Sequence, residues 1–272
     1  RKAPIYTKHW KEAQKEYEKK MVSNVYDFEK EDEFIKKGFT WFQTDESQLL
    51  AKSIYSKIKR EEKEFGCDKI WDKNSEYALG DFYQRFIEFD KFFQNVGKNF
   101  LNNLLKSEFK IFYGKLYRSI YDPVGPLGSQ RWHSDGGPGT CINLMFCITE
   151  VGNHNGAMEI LPWNQSLEIF KMEKKELSSK PDLSRDDRVS FYDSKIEEKF
   201  DRFVQQPNFG PGLVYPFNNN ILHKGGYPKE NQERIVAIFH IYPSIEPTNF
   251  DYYLRNGVKK NAPYPENPYH TF

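Results

Sequence analysis

Hydrophobic positions divide the chain into two textures. Over 7–37, charged residues surround Trp10, Tyr17, Met21, Val25, Phe28 and Phe34 at helix-like intervals, and 46–65 repeats the style with Leu49, Leu50, Ile54, Tyr55 and Ile58. Both stretches predict amphipathic helices. The run FYQRFIEFDKFFQNVGKNFLNNLLK over 82–106 carries a broad stripe of 3.6-residue period and predicts a further helix packed on the core. From 108 onward FKIFYGKLYRSIY, GTCINLMFCITEV, NGAMEILP, FGPGLVYPF and ERIVAIFHIYP are short apolar or alternating runs separated by Gly, Pro and Asn, the pattern of strands and turns. A highly charged segment, 171–202, interrupts them as an insertion between strands, read either as a solvated helical surface or as a lid. The tail, 246–272, is rich in Pro, Tyr and Asn and predicts an irregular surface path.

The expected fold class is therefore mainly β with flanking helices. At 272 residues a single decorated domain is expected: a helical part over 1–107, a β core over 108–245 with the 171–202 insertion, and the tail. Hydrophobic residues make up only 38%, but aromatics reach 17%, so fewer and larger side chains must build the core. Lys and Arg total 40 against 39 Asp and Glu, which gives no broad field for nucleic acid or an anionic membrane. A small-molecule partner is the expectation. Cys67, Cys141 and Cys147 are too few for a disulfide framework and lack zinc-finger spacing, so a reducing, cytoplasmic compartment fits by default, although the chain opens on Arg1. No apolar run reaches the roughly 20 residues of a membrane span.

Candidate chemistry begins at RWHSDGGPG, 131–139, where His133 and Asp135 are one residue apart and leave an extended strand on the same side. An H-x-D pair alone is a common coincidence. His223, just after a later strand, supplies a second imidazole, and two histidines with one carboxylate form the facial triad suited to Fe(II), with coordination positions left open. Arg234 follows His223 across a Gly-containing turn, and its planar fork of donors suits a carboxylate. Arg131 shares a face with His133 and is a candidate contact for an anionic substrate group, with Arg185 and Arg188 of the insertion pointing to the same class of metabolite. His240 reads as a packed histidine, His154 as solvated, and Cys141 and Cys147 as small core residues. No Gly-rich phosphate cradle occurs.

These pieces in this order resemble the phytanoyl-CoA dioxygenase-like family of Fe(II)/2-oxoglutarate-dependent oxygenases. The matching residues are WHSD at 132–135, the run LMFCITEV followed by NGAMEILPWNQS, the PG turn at 211–212, His223 and Arg234, and they span about half the chain, 108–245. The resemblance implies a double-stranded β-helix, or jelly roll. It implies that 2-oxoglutarate chelates iron while its far carboxylate pairs with Arg234, and that Asn143, in phase with Met145 and Cys147, borders this cosubstrate. Reaction with O2 then releases succinate and CO2 and oxidises an unactivated C–H bond, by hydroxylation in most relatives and by desaturation or cyclisation in others. Relatives that halogenate replace the carboxylate ligand with a small residue; Asp135 argues against that outcome. The chain departs from the family at LPWNQS, which lacks a closing His, and at Gly225, where a hydroxyl residue is common. A jelly-roll metal-binding or sensing module, and a cupin-type isomerase or lyase that does not use 2-oxoglutarate, are the alternatives; three ligands with an open face and Arg234 argue against both.

Overall fold

In the computed structural model, residues 3–20, 28–126, 128–177, 184–259 and 264–269 are described. Helices α1 (Ala3–Lys20), α2 (Phe28–Lys37), α3 (Asp45–Phe65), α4 (Cys67–Ile70), α5 (Phe82–Arg85), α6 (Glu88–Phe92) and α7 (Lys98–Leu105) precede strand β1 (Glu108–Ile120). Then come β2 (Ile142–Cys147), β3 (Glu159–Ile160), α8 (Trp163–Leu177), α9 (Arg185–Lys195), β4 (Val214–Asn218), β5 (His223–Lys224), β6 (Glu233–Ser244) and α10 (Phe250–Asn256).

The principal sheet is antiparallel with order β1-β6-β2-β4. Phe39 and Phe42 bridge to β4 on one edge and Glu76 bridges to Tyr117 on the other. The facing layer is built from short segments: His133 pairs with His223, Ile160 with His223, and Ile160 with Gln205. Two layers of antiparallel strands connected in this order form the double-stranded β-helix. One face of the large sheet, including Leu116, Leu144, Phe146, Ala237 and Phe239, packs on the helices, while Met145, Cys147, Tyr215, Phe217, Val236 and Ile238 face the second layer. Strand alternation thus assigns each residue a side.

Local chemistry explains the helix ends. Thr44 caps α3 through a reciprocal pair with Ser47, which satisfies donors that the first turn leaves free. The predicted helix over 82–106 is instead α5, α6, a π turn over Phe93–Gly97 and α7. The longer turn shifts the helical phase, so that Phe92 and Phe93, adjacent in sequence, are both buried. Phe92 stacks on Phe146 at 4.5 Å and Phe93 meets Phe239 edge-on at 4.8 Å. The stretch 7–37 holds two helices, α1 and α2, with Met21 and Val25 outside the described residues. The tail is not wholly irregular: Asn249 caps α10, which ends at Gly257.

The charged insertion is helical and starts earlier than charge alone indicates, at Trp163, because its first turns carry the apolar face. Ile169, Tyr192, Ile196 and Phe200 pack with Trp132 and Leu222, the neighbours in sequence of His133 and His223. The insertion therefore backs the layer that carries the histidines. It is a helical, largely solvated surface whose apolar side packs on that layer, and these contacts are not those of a lid.

Candidate metal centre

His133 and His223 exchange both backbone hydrogen bonds, each N–H donating to the other's carbonyl at 2.9 Å. Residues paired in this way project side by side, and the two imidazoles lie 4.4 Å apart between centroids. Asp135 follows two residues on, anchored by its N–H to the Asn219 carbonyl at 3.0 Å, before Gly136 and Gly137 turn the chain at positive φ. Its two carboxylate oxygens each stand 3.6 Å from one imidazole Nε2, Oδ1 from His133 and Oδ2 from His223. One ligand atom from each of the three residues lies within 4.8 Å of the others. Such a group of donor atoms around one point could hold a cation.

The tautomers are fixed by elementary acceptor chemistry. His133 Nδ1 faces the Arg131 carbonyl at 2.8 Å and His223 Nδ1 faces the Ile221 carbonyl at 3.0 Å. A carbonyl only accepts, so each Nδ1 carries the proton and each Nε2 presents a lone pair to the shared point. Burial lowers the His223 pKa to about 4, despite the opposing pull of Asp135, which keeps the ring neutral near pH 7. Burial pushes the Asp135 pKa upward, but the facing His223 and His133 outweigh it and hold the carboxyl below the usual range.

Asn143 is fully buried on β2, between His240 of β6 and Phe217 of β4. Its Nδ2 donates to Asp135 Oδ2, while its Oδ1 has no hydrogen-bond partner among the described residues. An ionised carboxylate only accepts, which sets the amide this way round. Asn143 thus touches a ligand of the candidate cation, a contact that strand alternation alone did not specify.

Arg234 is almost wholly enclosed on the same interior face, yet its guanidinium is only partly engaged. Nη1 donates to the Gly156 carbonyl, Nη2 to Ser119 Oγ at 3.3 Å, and Nε has no partner among the described residues. A buried donor without an acceptor is costly, about 1–3 kcal/mol, and an incoming carboxylate would satisfy it. The cradle is shaped by glycines. A Cβ on Gly226 would lie 2.0 Å from the Ala157 carbonyl oxygen, so only glycine lets the β5–β6 turn pass beneath Gly156. Asn155 holds the β2–β3 loop that carries Gly156 by accepting from the Gly152 N–H at 2.7 Å.

Arg131 is placed elsewhere: its Nη2 contacts Asp193 of α9 at 2.8 Å. Arg188 likewise pairs with Glu173, at 3.3 Å. His240 is largely enclosed, edge-on to Tyr113 at 4.5 Å, and burial lowers its pKa to about 4. Cys141 and Cys147 are buried, and burial raises both thiols far above the range of a reactive cysteine. His154 is exposed beside Glu150, whereas His9, near the chain start, is buried against Tyr242 and Tyr269. A cleft of about 770 Å³ lined by Lys52, Tyr55, Arg118, Asn155 and Glu233 contains none of His133, Asp135 and His223. Sequence reading passed over Tyr113, Lys115, Tyr117 and Ser119, whose alternation in FYGKLYRS puts them on the interior face of β1 opposite His240, Ile238, Val236 and Arg234.

Comparison with family models and with curated protein sequences finds no match. Solved structures do match. "EctD from S. alaskensis with 2-oxoglutarate and 5-hydroxyectoine" aligns at TM-score 0.52 and 11% identity, covering 89% of this chain and 90% of that one. The "non-heme alpha ketoglutarate dependent carbocyclase SnoK from nogalamycin biosynthesis" aligns at 0.54 and 9%, over 80% and 84%. AviO1 from Streptomyces viridochromogenes aligns at 0.51 and 13%, over 81% and 96%. The chain has their fold. At these identities the likeness extends to architecture, and the chemistry has to be argued from the residues. Among the described residues no helix is long and apolar enough to cross a membrane.

Proposed function

We propose that this protein is an Fe(II)/2-oxoglutarate-dependent oxygenase that oxidises an unactivated C–H bond of a small metabolite. The observation that carries the reading is the pairing, across one interior, of a two-histidine, one-carboxylate cluster with a buried arginine whose Nε is unsatisfied. The donor set fits iron: two imidazole nitrogens and a carboxylate oxygen converge from one side, and a hard-to-borderline cation so held keeps its other positions open. His133, Asp135 and His223 would hold the metal, and Arg234 would hold the far carboxylate of 2-oxoglutarate.

Iron with 2-oxoglutarate and O2 supplies the oxidising equivalents that remove hydrogen from a substrate carbon as succinate and CO2 leave. The residues do the rest by position. The two carbonyl-bound Nδ1–H groups keep the imidazole rings oriented, and Asn143 steadies the carboxylate between them. Met145, Cys147, Val236 and Ile238 make the interior apolar, which limits water near the reacting atoms and strengthens the charge pairing at Arg234. Asp135 keeps the carboxylate that a halide would have to replace. Hydroxylation is the simplest outcome. The neighbours include the epimerase SnoN and the carbocyclase SnoK, so the same architecture accommodates other outcomes, ring closure among them. The test is release of labelled CO2 from carboxyl-labelled 2-oxoglutarate. Dependence on both added Fe(II) and O2 is expected, and no release with a panel of small metabolites present refutes the assignment.

A further inference from the structure

The interior face of β1 carries a charged pair that the proposed chemistry does not use. Lys115 points between the layers, in register with Ile238, and donates to Glu76 at 2.9 Å; its ammonium also lies 5.5 Å over the Tyr117 ring, with Tyr113 two residues before it on the same face. Burying an ion pair is poor value for stability, because desolvation offsets most of the Coulomb gain and an apolar pair of similar size does as well. The pair is also reachable: the Lys115 side chain keeps 30% of its accessible surface and that of Glu76 15%. The remaining interior positions of β1, Tyr117 and Ser119, and His240 of β6 are likewise only half-buried. These positions run along β1 from Ser119, opposite Arg234, to Tyr113, opposite His240.

Lys115 and Ser119 are four residues apart on β1, roughly 13 Å along a strand, so Lys115 and Arg234 stand in different rows of the interior face. Lys115 is instead next to the row Tyr113, His240 and Asn143, the last of which holds Asp135. An ammonium has three N–H donors, and Glu76 takes one. Of the arginines that the sequence offered for an anionic substrate, Arg131 and Arg188 are paired with Asp193 and Glu173.

We propose that Lys115, with Tyr113 and His240 beside it, receives a carboxylate of the substrate, so that the substrate is a small carboxylic acid oriented by this group with its reacting carbon toward His133, Asp135 and His223. The inference rests on the proposed function for its substrate role but not for its binding chemistry. Acetate, hexanoate, phenylacetate and 4-aminobutyrate, each paired with its primary amide, are titrated calorimetrically into the protein, with and without Fe(II) and 2-oxoglutarate under anaerobic conditions. At least one acid is expected to bind about ten-fold more tightly than its amide, the worth of one charge-assisted hydrogen bond. Lys115→Met strands Glu76, so Lys115→Met/Glu76→Gln is the informative variant; it is expected to lose the preference, while Lys115→Arg retains most of it. No acid preferred over its amide, or a preference that survives in the double variant, overturns the proposal. If 2-oxoglutarate fails to bind but the acid preference appears and needs Lys115, the site stands and the oxygenase assignment fails.

Discussion

Asn143 offers the sharpest test of how the centre is held together. Asn143→Ala removes the one side-chain hydrogen bond that Asp135 accepts from the sheet. A hydrogen bond to a charged group contributes about 1.5–3 kcal/mol, and partners of metal ligands are generally worth about 10- to 100-fold in affinity. Two features favour the lower part of that range here. Asp135 keeps its backbone anchor to Asn219, and its side chain is 26% accessible, so water can replace the lost donor. The expected result is Mn(II) affinity weaker by about 10- to 30-fold, read by competition with a chromophoric chelator, with 2-oxoglutarate affinity at saturating metal nearly unchanged. Unchanged metal affinity with a ten-fold loss for 2-oxoglutarate would refute the reasoning and return Asn143 to a direct cosubstrate contact.

Arg234→Ala is expected to weaken 2-oxoglutarate binding by about 100-fold, the worth of two charge-assisted hydrogen bonds partly offset by water, with metal content preserved by elemental analysis; loss of metal would reassign the residue. Gly226→Ala forces a methyl onto the Ala157 carbonyl and is expected to lower stability by about 3 kcal/mol or more in urea unfolding, whereas a change under 1 kcal/mol would mean the turn is softer than described. His240, lowered to about 4 by burial, binds its proton more weakly when folded than when unfolded. Stability is therefore expected to fall as pH drops from about 6.5 to 4, by up to about 3 kcal/mol from this residue, and His240→Phe should flatten that slope; an unchanged slope would show that the ring titrates normally.

The strands were legible because alternation and Gly/Pro punctuation are local, and the clustering of the candidate ligands because His133, Asp135 and His223 fall at strand ends where short-range geometry decides which way they point. α3 was legible from its periodicity, and the α10 cap, Asn249, was present in a tail whose composition pointed to a loop. What stayed hidden was set by distant pairings. Arg131 shares parity with His133 but swings to Asp193, sixty-two residues away in sequence. Lys115 gains its meaning from Glu76, which arrives on a bridge outside the main strands. The break between α6 and α7 follows from two adjacent phenylalanines both finding the sheet, which no single helical period expresses.

The central claim is that one interior holds iron at His133, Asp135 and His223 and 2-oxoglutarate at Arg234. Anaerobic addition of Fe(II) and then 2-oxoglutarate measures it most directly, through the weak visible absorption band of the chelate. The band is expected to appear in the wild-type protein, to be lost in Asp135→Ala through loss of metal, and to require far more 2-oxoglutarate in Arg234→Ala. A protein that binds iron yet gives no band at saturating 2-oxoglutarate, or gives it equally well without Arg234, would contradict the account.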